Sequence, residues 1–149
     1  MRTFLGLGSN LGDRRAYLRD AIESLPDVVA ISPVYETDPV GGPEQQPYLN
    51  LVVELDTELT PTALLSVCHR IESAANRVRD ERWGPRTLDI DIIWMEDVTL
   101  AGERLTVPHP RWRQRKFVLA PMRDLAPDLV TASDVEQADG RVWPVEGLA

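Results

Sequence analysis

A chain of 149 residues, 43% of them hydrophobic, has material for one well-filled domain and would be crowded as two. Its formal net charge of −8 speaks against a nucleic-acid partner, and no apolar run long enough to span a membrane is present in the sequence. The single cysteine, Cys68, excludes an intramolecular disulfide framework and fits a reducing cytoplasm, the compartment expected for a chain in which nothing suggests export.

In chain order, Thr3 to Gly8 reads as a strand and Asp13 to Leu25 as a helix, with Leu18, Ala21, Ile22 and Leu25 at helical spacing. Gly6, Gly8 and Gly12 fit neither the dinucleotide fingerprint nor the Walker motif, so they read as a strand-to-helix turn. Val28 to Thr37 and Tyr48 to Asp56 read as strands. The loop between them, Asp38 to Pro47, is longer than a hairpin needs and is a candidate functional loop. Thr60-Pro61 predicts a helix start, followed by Leu64, Leu65, Val67, Cys68 and Ile71 on one side, where Cys68 is expected to be buried and inert. Thr87 to Met95 reads as a further strand. The order βαββαβ defines an α+β domain with a ferredoxin-like core, its helices packed on an antiparallel sheet. Beyond Asp97 the expectation is a hairpin over Val98 to Val107 around Ala101-Gly102, then a helix within Arg115 to Leu125 interrupted by Pro121. From Val130 to residue 149 an irregular tail is expected, with a short strand near Val142-Trp143.

The most informative stretch is Trp83 to Ile93. Asp89 and Asp91 lie two apart in an apolar run and share one face of the predicted strand, roughly 6.5 to 7 Å apart at the backbone. Aspartate is depleted in strands and like charges repel, so the pair works against the fold unless a cation stands between the two. The alternative is a solvated outer face of an edge strand. Arg86 and Trp83, set off by the Gly84-Pro85 turn, add an anion partner and a planar lid, a combination suited to magnesium and a polyphosphate. Charge distribution agrees: ten Lys/Arg face eight Asp/Glu between Arg70 and Lys116, with Arg111, Arg113, Arg115 and Lys116 as a positive cluster, inside an otherwise acidic chain.

Arg82 to Ile92 resembles the signature of the 6-hydroxymethyl-7,8-dihydropterin pyrophosphokinase family. Three further blocks resemble that family in its order: Leu7 to Asp13, Tyr35-Glu36-Thr37 through Tyr48-Leu49-Asn50, and Leu105 to His109 through Arg115-Lys116-Phe117. The resemblance implies transfer of diphosphate from ATP to the pterin hydroxymethyl group by attack on the β-phosphorus, with AMP leaving. Asp89 and Asp91 are implied to hold two Mg2+ ions, and Arg86 and Arg115 to stabilise the transferred group. Thr37, Asp38, Val40, Gly41, Tyr48, Asn50, Trp83 and Phe117 are implied to form the pterin slot, Tyr48 and Phe117 by stacking on its two faces. Asn10 is placed near the pterin. ATP falls to His69, Glu72, Arg77, Arg79, Arg82, Trp83, Arg86, Ile92, Arg104, Thr106, His109 and Arg115. Asp38 stands where the family pattern has an uncharged residue, and Pro110 where it sometimes has an aromatic one. The segment Arg77 to Pro85 is expected to close over bound ligands. A monomer is expected, with small-molecule partners and neither nucleic acid nor membrane. Two readings compete with this one: another Mg-dependent nucleotidyl- or phosphoryl-transferase, and a non-catalytic ferredoxin-like RNA-binding module.

Overall fold

The computed structural model describes residues 1–37, 46–76 and 87–148. Among these, β1 (Arg2–Ser9), β4 (Tyr48–Asp56) and β5 (Asp89–Met95) are the long strands of a six-stranded antiparallel sheet. Its order is β5-β1-β4-β3-β8, where β3 is Tyr35–Thr37 and β8 is Val142–Pro144, and β2 (Val28–Ile31) pairs with the far half of β4. Period-two alternation divides the side chains between two cores. Leu5, Leu7, Leu49, Leu51, Val53, Leu55, Ile90 and Ile92 form one core, which also takes in buried residues of α1 (Arg14–Ser24) and α2 (Pro61–Asn76). Phe4, Val52 and Ile93 join a second core with Trp112 and with Leu119 and Met122 of α3 (Lys116–Leu125).

The helices begin where the sequence says they should. Asp13 caps α1, its carboxylate accepting from the Ala16 N–H at 3.2 Å. Thr60 accepts from the Ala63 N–H at 3.2 Å, with Pro61 as the first residue of α2. Cys68 is fully buried, and burial pushes its thiol up to about 12, as an inert core residue requires. Tyr35 donates to Asp124, tying β3 to α3.

Four expectations need correction. The strand read as Val28 to Thr37 is two strands, because Pro33 has no N–H for the ladder. Ser32 covers the break, its hydroxyl accepting from the Val52 N–H at 2.9 Å while its own N–H donates to the Val52 carbonyl at 2.9 Å. Pro121 does not interrupt α3, which runs on to Leu125; burial of Leu119, Pro121 and Met122 holds the helix together past the lost donor. The hairpin of β6 (Leu100–Ala101) and β7 (Thr106–Val107) turns over residues 102–105, closed by the Gly102 N–H on the Leu105 carbonyl at 3.0 Å. The region after Val130 is less irregular than expected: α4 (Ala132–Gln137) precedes β8, which is the short strand expected near Val142-Trp143.

A capping box starts α4. The Asp134 N–H donates to the Thr131 hydroxyl at 3.0 Å, and the Asp134 carboxylate accepts from the Thr131 N–H at 2.8 Å. The bond from the Thr131 N–H foremost, with the Thr131 hydroxyl beside it, holds the Asp134 carboxyl below its ordinary value of 3.8. A lowered carboxylate contributes stability above the ordinary value and loses it as pH falls through the folded-state value. The thermal midpoint of Asp134→Asn should therefore lie below that of the parent protein at neutral pH, with the gap closing in acid. A gap that stays constant from pH 7 to pH 3 would rule out this linkage.

Candidate active site

On the α3 side of the sheet, opposite α1 and α2, lies a cavity of about 670 Å3, within the range of small-molecule sites. Its floor is β1, where Gly6 and Gly8 pair with Asp91 and Asp89 of β5. Cross-strand partners share a face, so both carboxylates turn toward the cavity. β5 is an edge strand, as one sequence reading held, but its aspartates line a concavity and not an open outer face. Tyr48 and Asn50 enter from β4, Thr37 from β3, and His109, Arg115 and Phe117 from the approach to α3 and its first turn.

One end of the cavity joins an amide and a hydroxyl with two aromatic rings. Asn50 and Thr37 are nearly buried, and the Asn50 amide donates to the Thr37 hydroxyl at 3.2 Å, which fixes the amide plane while leaving its oxygen and second N–H. Tyr48 and Phe117 are half-buried rings at the same cavity. A Cβ on Gly8 would stand 2.9 Å from the Asn50 amide oxygen and 3.5 Å from the Tyr48 ring, and one on Gly6 would stand 3.2 Å from Ile93. The glycines therefore keep the floor thin beneath Asn50, Tyr48 and Ile93.

The other end concentrates charge. Arg115 sits over the Phe117 ring at 5.5 Å, joining cation to platform. His109 is held through its N–H on the Ile93 carbonyl at 2.8 Å. Its Nδ1 accepts from the Arg111 N–H at 3.2 Å, so the neutral ring carries its proton on Nε2. Burial lowers the His109 pKa, Arg115 and Arg111 add to the effect, and Asp91 opposes it; the imidazole is neutral at pH 7. The predicted cation cluster is divided. Arg113 stacks on Trp112 at 4.3 Å and reaches Asp134 at 3.8 Å, which ties it to the second core, so that only Arg115 of the four lines the cavity.

Asp89 and Asp91 supply hard oxygen donors on one face. Among the described residues no third His, Cys, Asp or Glu joins them in a cluster able to hold a metal ion. That donor set fits Mg2+, which typically takes one or two carboxylates and completes its shell with substrate phosphates and water.

The structure brings together Asp89, Asp91, Arg115, Thr37, Tyr48, Asn50, His109 and Phe117. It separates Ile92, whose side chain packs in the helix-side core, and leaves His69, Glu72, Arg104 and Thr106 off the cavity lining. Glu72 is nonetheless near: its carboxylate accepts from the Ile90 N–H at 3.4 Å. Asp38, Val40, Gly41, Arg77, Arg79, Arg82, Trp83 and Arg86, and with them the closing segment Arg77 to Pro85, lie outside the described residues. Asn10 is buried but off the lining; its two amide atoms and the Ser9 hydroxyl have no partner among the described residues, at the end of the strand that carries the glycines. Sequence reasoning missed Trp112 and the segment Asp139–Val142 as cavity walls. The sequence suggests a short strand near Val142-Trp143 but not its place; the pairing of β8 with β3 and the bonds of Asp139 to Gln114 and Lys116 bring the segment there.

An α+β domain in which one cavity brings together a carboxylate pair, a cation and two aromatic rings fits the class of small-molecule transferases better than that of RNA-binding modules. Residues 4–127 match the family model of 7,8-dihydro-6-hydroxymethylpterin-pyrophosphokinase (HPPK), and the chain belongs to that family. It is 49% identical to a 2-amino-4-hydroxy-6-hydroxymethyldihydropteridine pyrophosphokinase of Methylorubrum extorquens, an alignment covering 96% of this chain and 94% of the relative. It is 42% identical to the enzyme of the same name from Bacillus subtilis, over 94% of this chain and 89% of the relative. In fold it is similar to the Plasmodium falciparum HPPK-DHPS crystal structure, with a TM-score of 0.63 at 16% identity, over 85% of this chain but only 38% of that longer one.

Proposed function

We infer that the protein transfers the diphosphate of ATP to 6-hydroxymethyl-7,8-dihydropterin, giving AMP and the pterin diphosphate, a step of folate biosynthesis. The observation that carries this reading is the joining of Asp89, Asp91 and Arg115 with Tyr48, Asn50 and Phe117 in one cavity. Family membership supports it over transfer to another acceptor. The order β5-β1-β4-β3 with α1 and α2 on one face supports a ferredoxin-like core, and one continuous sheet supports a single working domain. We take the enzyme to act as a cytoplasmic monomer.

In this reading Tyr48 and Phe117 sandwich the pterin, while the Asn50 amide, oriented by Thr37, reads its aminopyrimidinone edge. The slot aims the hydroxymethyl oxygen at the carboxylate end, so that orientation and charge neutralisation dominate the rate acceleration. Asp89 and Asp91 would hold Mg2+, which supplies charge neutralisation on the phosphates and lowers the acidity barrier of the attacking hydroxyl. Arg115 offers a bidentate fork to the transferred group, and neutral His109 offers its Nε2 proton to a phosphate oxygen. Arg86 has the same role as Arg115 by sequence resemblance. By sequence resemblance ATP also falls to His69, Glu72, Ile92, Arg104 and Thr106, which lie off the cavity lining. The test is incubation with Mg-ATP, with and without the pterin, and separation of the nucleotides. AMP formed only with pterin present supports the reading, whereas ADP as the product defeats it.

Gly8→Ala probes the slot from beneath. The added methyl collides with the Asn50 amide oxygen, which Thr37 holds in place. Overpacking of this kind costs about 1–3 kcal/mol, and here it should appear as weaker pterin binding with ATP affinity kept. Unchanged pterin affinity in a folded Gly8→Ala protein would show that the amide does not read the ring.

A further inference from the structure

We propose that the C-terminal segment Asp139–Val142 is a wall of the pterin slot, with Arg141 as a binding residue for an acceptor atom on the pterin ring edge. The proposal rests on the pterin reading of the cavity. All four residues of the segment line the cavity, yet they lie beyond residues 4–127, the part of the chain that matches the family model.

The segment is anchored at both ends against residues of the slot. At one end the Lys116 N–H donates to the Asp139 carbonyl at 2.9 Å and the Asp139 N–H to the Gln114 carbonyl at 2.8 Å, and Arg115 and Asp139 form a bridge. This end is therefore stitched to the strand of chain that delivers Arg115 and Phe117. At the other end Val142 is the register partner of Thr37 in the β3–β8 ladder, and the Val145 N–H donates to the Val34 carbonyl at 3.0 Å. Between them Gly140, at φ +109°, takes a backbone conformation that other residues rarely adopt and turns the chain from the α3 entrance to the sheet edge. The Arg15 guanidinium clasps the Glu146 and Gly147 carbonyls, and Leu148 packs on the helix-side core, so the chain after the wall is held as well.

A wall suspended between Phe117 and Thr37 faces the edge of a ring stacked on Phe117 and read by Asn50. Arg141 and Arg115 are the cationic side chains among the described lining residues. Arg115 rests over the Phe117 ring, and Arg141 immediately precedes Val142, the register partner of Thr37. A guanidinium offers five donors and no acceptor, which suits the carbonyl oxygen and unprotonated ring nitrogen of a pterin edge. The side chain of Val142, on the Thr37 face of the ladder, sets the width of the slot there.

The test compares Arg141→Ala and Val142→Trp with the parent protein and with Arg19→Ala, a change on the exposed side of α1. Steady-state AMP formation is measured with Mg-ATP and 6-hydroxymethyl-7,8-dihydropterin, alongside thermal midpoints. Loss of a charged hydrogen bond should raise the KM for pterin roughly tenfold or more in Arg141→Ala. Val142→Trp should raise it by narrowing the slot, with the KM for ATP, kcat at saturating pterin and the midpoint little changed in both. A KM for pterin within twofold of the parent in both variants would overturn the wall while leaving the pyrophosphokinase reading intact. A rise confined to the KM for ATP, or an equal rise for both substrates with a lowered midpoint, would also overturn it. Absence of pterin-dependent AMP from the parent protein is a failure of the underlying reading instead.

Discussion

Asp89→Ala or Asp91→Ala is expected to reduce turnover by about a thousandfold or more, the scale of losing a preorganised charge in a transfer dominated by electrostatics. Both carboxylates face the cavity from one strand, and no third ligand among the described residues could replace either. Asp91 is an exposed strand residue and aspartate is disfavoured in strands, so Asp91→Ala should melt at or above the parent temperature in the absence of metal. The pterin slot is built from other strands, which means pterin binding should persist while Mg-dependent catalysis disappears. Activity near that of the parent in either variant would remove the metal assignment.

Phe117→Ala and Tyr48→Ala are expected to weaken pterin binding by about 1–3 kcal/mol for each lost face, roughly 5- to 150-fold, with Mg-ATP affinity nearly unchanged. Both rings are half-buried at the cavity and absent from the two cores, so their removal should leave the fold intact. Phe117 has a second duty, since Arg115 rests over its ring. Phe117→Ala should therefore also lower kcat, whereas Tyr48→Ala should act on pterin affinity alone. Equal weakening of both ligands together with a lowered thermal midpoint would place these rings in the structural core.

The long strands and both large helices were legible because their signals are local: period-two alternation in β4 and β5, Asp13 and Thr60 as caps, and apolar spacing in α1 and α2. The carboxylate pair was legible for the same reason, since i and i+2 of a strand share a face whatever surrounds them. What failed depended on tertiary context. That the Ser32 hydroxyl accepts from the Val52 N–H where Pro33 breaks the ladder could not be seen until β4 was beside it, and the core around Pro121 is what keeps α3 continuous. The short helix α4 did carry a sequence signal, Thr131 with Asp134 three residues on, but its six residues have too little periodicity to stand out. The strand near Val142-Trp143 was expected, but nothing local marked residues 139–142 as a cavity wall. It is brought to Thr37 by pairing between elements about a hundred residues apart in the sequence.

The central claim is that the bond broken lies between the α- and β-phosphates of ATP and that both outer phosphorus atoms move to the pterin. Incubating the parent protein with Mg2+, 6-hydroxymethyl-7,8-dihydropterin and ATP carrying label on its β- or γ-phosphorus, then separating the pterin and nucleotide products, tests this directly. Either label is expected in the pterin product, in equal amounts, with unlabelled AMP beside it. A pterin product labelled only from the γ position, with ADP retaining the β label, would contradict the account.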